Sequence, residues 1–160
     1  MSSTVPPLYH MGTAGMMVGD IVRSGEFGQS LMGSGALHPC QPNGHPDYFR
    51  EYLMEIYRLG ANSSAISRLA CTFAFESQEL AIAGACESGR QAFQVVPVDP
   101  DAPATRHDSS WITWISEPLR SPSEVEGAID NYWNGLPVVT GPIIWEWLVP
   151  CDLRIMRRIA

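Results

Sequence analysis

Two strand-like segments stand side by side near the end of this 160-residue chain. Residues 143–150 read Ile-Ile-Trp-Glu-Trp-Leu-Val-Pro, and residues 153–159 read Leu-Arg-Ile-Met-Arg-Arg-Ile. β-Branched and aromatic residues dominate the first, and no helix-length stretch separates the two. Consecutive strands do not suit a doubly wound parallel sheet, in which strands and helices alternate throughout. The pattern therefore predicts an α+β fold, with residues 1–160 as one domain. Apolar residues make up 45% of the chain, enough for a core without disulfides or a partner.

The remaining segments read in order along the chain. A polar tail over 1–7 leads into a short strand at Leu8–His10, and residues 16–22 form a second extended piece broken at Gly19-Asp20. Residues 24–46 are rich in glycine and read as a long loop. The span 46–60 is the clearest helix, opened by Pro46 and Asp47 and closed by Gly60. Its Tyr48, Phe49, Tyr52, Leu53, Ile56 and Tyr57 fall on one wide face, expected at the core edge. Residues 68–75 read as a strand, 76–89 as a helix, 91–98 as a strand, 99–110 as a loop and 111–115 as a short extended segment. Ser121-Pro122-Ser123-Glu124 is a capping box that starts a helix ended by Gly135.

Charge narrows the partners. The formal net charge is −7, which disfavours non-specific binding to nucleic acid or an anionic membrane. All ten basic residues are arginine, a side chain whose planar fork suits phosphate. The cysteines at 40, 71, 86 and 151 lack metal-site spacing. Cys71 and Cys86 read as buried thiols, and a reducing cytoplasm is the simplest compartment. No secretion signal and no membrane-spanning stretch are expected.

Glu146 is the anomalous residue. Strand alternation places it on one face with Ile144 and Leu148, and turns Trp145 and Trp147 to the other. A carboxylate there needs a partner, an edge or a cleft. An arginine salt bridge and a catalytic role are both open. His10 is similarly ambiguous between packing and ligand binding, with Gly12, Thr13 and Gly15 nearby to admit a ligand to the backbone. Other chemistries lack their patterns: GxGxxG, a P-loop and a GxSxG elbow are all absent, and no histidine pair has helical metal spacing. His107-Asp108 reads as part of a polar turn.

Three segments together resemble the ADP-ribosyltransferase superfamily, on its diphtheria-toxin-like histidine–aromatic–glutamate side. Tyr9-His10-Met11-Gly12-Thr13 is similar to the first-strand YHGT pattern, with Met11 in place of the usual glycine. The run 71–85, Cys-Thr-Phe-Ala-Phe-Glu-Ser and the helix after it, is similar to the central strand–helix signature. Residues 145–155 are similar to the late strand that carries the catalytic glutamate. The resemblance implies a split β core of two small antiparallel sheets with flanking helices, and NAD bound as substrate in the cleft between them. It implies that Glu146 is catalytic, that His10 orients the adenosine ribose, and that the backbone of Met11, Gly12 and Thr13 holds nicotinamide. Phe73 or Phe75 would stack on nicotinamide in place of the usual tyrosine, and Arg68 would either meet the pyrophosphate or stand in a surface salt bridge. Arginine-specific members carry Glu or Gln two residues before the catalytic glutamate; Ile144 stands there, so the acceptor is open.

The expected activity is NAD-dependent transfer of ADP-ribose to a macromolecule, in the first instance a protein, with a role as a toxin, effector or phage counter-defence factor in a small bacterial or phage branch. NAD glycohydrolysis follows if water is the acceptor. An RNA 2′-phosphotransferase-like relative would require more basic residues. The non-enzymatic alternative is an inactive domain that binds a partner through its five tryptophans, all after residue 110.

Overall fold

The computed structural model describes residues 6–33 and 47–160. Its strands are β1 (Leu8–Gly12), β2 (Ile21–Val22), β3 (Thr72–Phe75), β4 (Gln91–Pro97), β5 (Thr105–Asp108), β6 (Trp145–Val149) and β7 (Leu153–Arg158). Its helices are α1 (Glu26–Gly33), α2 (Tyr48–Ala61), α3 (Gln78–Ser88), α4 (Ser110–Ser116) and α5 (Pro122–Trp133). The fold is α+β, as expected. The strands form one seven-stranded antiparallel sheet in the order β2-β7-β4-β1-β3-β6-β5. This corrects the expectation of two separate small sheets. The cause is the pair Tyr9↔Phe75, which joins β1 to β3. That joint is narrow: β1 pairs with β4 from Leu8↔Val95 to Gly12↔Gln91, and β3 pairs with β6 from Thr72↔Val149 to Phe75↔Glu146.

Only β5 and β6 are neighbours both in the sequence and in the sheet. β6 lies between β3 and β5, and β7 lies between β2 and β4.

The two faces of the sheet are buried differently. On one, α2, α4 and α5 supply Met54, Trp111, Ile112, Ile129, Tyr132 and Trp133 to a core with Leu148 and Phe73. On the same face, Ala81 and Ala85 of α3 pack with Ala92, Tyr9, Met11 and Phe75. The opposite face buries Leu8, Ala74, Phe93, Val95, Val149, Leu153 and Ile155. No helical residue joins that cluster among the described residues; the partly buried Met16, Ala104, Trp147 and Cys151 pack against it.

Several elements depart from the sequence pattern. Helix α1 and strand β5 fall within spans expected to be loops. Residues 111–115 are helical because Trp111, Ile112, Trp114 and Ile115 also fit a helical stripe, and packing against α5 overrides β propensity. Helix α3 is capped by the Ser77 side chain at its start and by left-handed Gly89 at its end, and α5 carries the expected capping box at Ser121 and Glu124. Helix α2 has the expected extent but not the expected burial. It buries Glu51, Met54 and Arg58, and leaves Phe49, Tyr52 and Ile56 exposed.

Candidate functional site

Glu146 projects from β6 and is 4% exposed. Asp108 fixes where that strand begins: its carboxylate accepts from the backbone N–H of Val138 at 2.8 Å and of Ile144 at 2.9 Å. The Glu146 carboxylate accepts a hydrogen bond from Tyr132 Oη at 2.7 Å and an ion-paired bond from Arg68 Nη1. Arg68 Nη1 also donates to Tyr132 Oη at 2.6 Å. On its other side Arg68 donates from Nε to Glu51 Oε2 at 2.8 Å and from Nη2 to Oε1 at 3.3 Å. One buried guanidinium thus bridges two buried carboxylates. Such an arrangement satisfies groups that would each be very costly to bury alone.

The turn that delivers Arg68 is itself pinned. Arg58 Nη1 donates to the carbonyls of Ser63 at 3.1 Å and Ala65 at 3.0 Å. Gly28 of α1 packs so closely that an added Cβ would lie 2.1 Å from the Leu69 carbonyl oxygen. The guanidinium carbon of Arg68 stands 4.7 Å from the centroid of Phe73 and 5.4 Å from that of Tyr132. Phe27 of α1 meets Phe73 edge-on at 5.2 Å.

Protonation states follow from these contacts. Burial pushes the Glu51 carboxyl up, but the charge and hydrogen bonds of Arg68, with those of Arg50, outweigh it and hold it below its ordinary value. Burial opposes the charge on Arg68; Glu146, Tyr132 and Glu51 outweigh it and keep the guanidinium protonated. Burial raises Tyr132 well above the usual phenol range, so its hydroxyl stays a donor to Glu146. Burial also pushes the Cys71 thiol up to about 12, which makes it inert.

His107 faces Glu146 in the β5–β6 register and stacks on Tyr132 with ring centroids 4.8 Å apart. Its Nδ1 is 2.8 Å from the Tyr132 carbonyl, so Nδ1 carries the proton. Nε2 then accepts from Thr105 Oγ1 at 2.9 Å. Burial lowers its pKa. The expected polar turn at His107-Asp108 is instead a buried strand, with the two residues 3% and 0% exposed.

The structure brings Arg68, Phe73 and Glu146 into one cluster. Phe75 pairs with Glu146 across β3 and β6, on the same face, and packs towards α3. His10 touches this group indirectly. Its Nδ1 donates to the Phe73 carbonyl at 2.8 Å, in the gap where β1 and β3 part beyond Tyr9↔Phe75. Burial lowers the His10 pKa, Arg90 adds to that, and the Phe73 bond and Glu26 oppose it. By alternation the His10 side chain lies on the face opposite Glu146. Met11, Gly12 and Thr13 stand apart from the cluster. Met11 packs under α3, Gly12 is roofed by Met16 Sδ 2.6 Å from where a Cβ would sit, and Thr13 is exposed. Cys86, expected to be buried, is exposed on α3, while Cys71 is buried as expected. His38, His45 and Cys40 lie outside the described residues.

Glu51, Tyr132 and His107 are members of the cluster that the sequence pattern did not mark. Glu51 sits on a helix whose apolar stripe points elsewhere, and Tyr132 resembles any core aromatic of α5. The available signal was the demand of Glu146 itself: a carboxylate in an apolar strand requires a cation and a donor nearby.

Two surface depressions lie near these elements. The larger, about 480 Å³, is lined by Ser24, Gly25, Gly28, Gln29, Met32 and the pair Leu69-Ala70 that follows Arg68. The smaller, about 260 Å³, lies between the start of α3 and β6 and holds Arg106 stacked 3.9 Å above Trp145. Among the described residues no group of histidine, cysteine or acidic side chains is arranged to hold a metal ion, and no helix is long and apolar enough to cross a membrane. No protein-family model matches the sequence, and no curated protein matches it.

Proposed function

We propose that the chain transfers ADP-ribose from NAD to a macromolecular acceptor, a protein in the first instance, with Glu146 as the carboxylate that stabilises the reacting ribose. One observation carries this reading. A planar cation, the Arg68 guanidinium, already rests between the Glu146 carboxylate and the ring face of Phe73. Nicotinamide in NAD is also planar and cationic, and the ribose it leaves behind becomes oxocarbenium-like. The same carboxylate and ring match both features.

Arg68 makes room by withdrawing onto Glu51, to which its Nε and Nη2 already donate. There it can meet an anionic pyrophosphate. The ribose C1′–nitrogen bond breaks, nicotinamide leaves with the electron pair, and the acceptor's nucleophile bonds to C1′ and gives up its proton. Tyr132 Oη, a donor to Glu146, keeps the carboxylate oriented while the charge develops. His10, on the opposite face of the sheet, acts on this site only through the Phe73 carbonyl that its Nδ1 holds, as a positioning residue for the strand that carries the ring.

The test is incubation of the full chain with NAD, read by nicotinamide release and by calorimetric titration, alongside biotinylated NAD in a whole lysate. The expected results are binding with a dissociation constant of about 1 μM to 1 mM and labelled protein in the lysate. Glu146→Gln should lower turnover by about 10²-fold or more in whatever fraction remains folded. Folded wild-type chain that neither binds NAD nor releases nicotinamide overturns the proposal and leaves Arg68, Glu51 and Glu146 as a structural network.

A further inference from the structure

Helix α2 turns its charges inward and its apolar side chains outward. Glu51, Met54 and Arg58 are buried, whereas Phe49 is 62% exposed, Tyr52 45%, Ile56 50% and Leu59 60%. Positions 49, 52, 56 and 59 alternate spacings of three and four, which places them on a single stripe of the helix. Tyr52 is pre-ordered by stacking on Tyr48, with centroids 5.8 Å apart.

The charges beside the stripe are already satisfied within the chain. Arg50 pairs with Asp47 and Glu51, and Arg58 pairs with Glu55. The stripe therefore offers no charge for an acidic or basic partner to complement. It is also symmetric about position 54. A second copy laid antiparallel sets Phe49 against Leu59 and Tyr52 against Ile56, each contact occurring twice. An isologous two-fold interface requires this self-complementarity. Covering these side chains completely on both copies removes at most about 1,000 Å² from water, which reaches the lower bound for a specific interface.

We propose that α2 forms the interface of a two-fold homodimer of this chain. The antiparallel arrangement also opposes the two helix dipoles favourably. An interface at the lower end of the size range makes the assembly depend on concentration. The conclusion is independent of any enzymatic role.

Sedimentation velocity and light scattering across about 1–200 μM protein test it. The expected mass rises from 17.6 kDa towards twice that value as concentration increases. Ile56→Glu, and separately Tyr52→Glu, should each weaken the association at least about tenfold while far-UV circular dichroism stays unchanged. Both residues are half exposed, so neither change disturbs the core. A wild-type chain that keeps its single-chain mass at the highest concentration overturns the proposal, whatever covers α2 in that monomer. A dimer that neither variant weakens overturns it too, because the interface then lies elsewhere.

Discussion

Arg68 is clamped between two carboxylates on opposite sides, Glu146 through Nη1 and Glu51 through Nε at 2.8 Å. Replacing it with methionine keeps the volume and removes the shared cation. Two buried carboxylates then face apolar surroundings, at a cost of about 3–5 kcal/mol at pH 7. Burial without a cation raises a carboxyl pKa, so the variant's folded state favours protonation. Its deficit against the wild type should shrink by about 1 kcal/mol or more between pH 7 and pH 5. Urea titrations at both pH values measure this. A loss below about 1 kcal/mol that does not change with pH would show that the clamp adds little.

The wild type should lose stability on acidification in two stages. His10 and His107 are both held below their ordinary value of 6.5, chiefly by burial. Their contribution is complete above pH 6.5 and falls away as pH drops through their lower folded values, because the unfolded chain takes up protons first. Glu51 is likewise lowered from 4.5, so a second loss opens below that pH. Melting temperatures between pH 8 and pH 4 should therefore begin to decline near 6.5. The first stage should vanish when both histidines are replaced by glutamine. A flat profile from pH 8 to pH 5 contradicts the assignment.

Phe73 and Phe75 share a face but have different neighbours. Phe73 lies under Arg68, whereas Phe75 packs with the small residues of α3. In the proposed NAD complex, Phe73→Leu loses the ring and should weaken binding by about 0.5–1.5 kcal/mol. Phe75→Leu should lower the melting temperature and leave the affinity of the folded protein unchanged. Calorimetric titration beside thermal melts separates the two, and equal effects on affinity would remove Phe73 from its role.

Two glycines make a contrast that needs no ligand. At Gly28 a new Cβ would meet the Leu69 carbonyl oxygen at 2.1 Å, and backbone on both sides leaves little freedom to yield. At Gly84 it would meet Met11 Sδ at 2.7 Å, the far end of a flexible side chain. Gly28→Ala should cost about 3 kcal/mol or more. Gly84→Ala should fall within about 1 kcal/mol of the wild type, because the gain in helix propensity offsets the shift of Met11. Chemical denaturation of the two variants gives the comparison directly.

Much of the scaffold was legible because local signals and packing agreed there. The Ser121 capping box, the Ser77 and Gly89 ends of α3, the face of Glu146 and the shared face of Phe73 and Phe75 all follow from local rules. Other features were not legible for identifiable reasons. Residues 111–115 satisfy strand and helix patterns equally, and contact with α5 decides between them. The apolar stripe of α2 pointed to burial, yet Arg68 draws Glu51 inward and turns the stripe out. The sequence could mark Glu146 as requiring partners but could not identify them, since Arg68 and Tyr132 come from 78 and 14 residues away. The separation of His10 from Glu146 depends on the register across β3, which no local pattern encodes.

The place of β6 between β3 and β5, and of β7 between β2 and β4, matters for a chain emerging from the ribosome. Four strands made early wait with an open edge until residues 145–158 are synthesised. During that interval Val22, Ala74, Phe93 and Val95 lack the cover that Val149, Leu153 and Ile155 later provide. Exposed edges of this kind invite pairing with other chains, and closure through such distant contacts is slow. Any truncation that removes the last two strands should yield insoluble protein rather than a smaller folded domain.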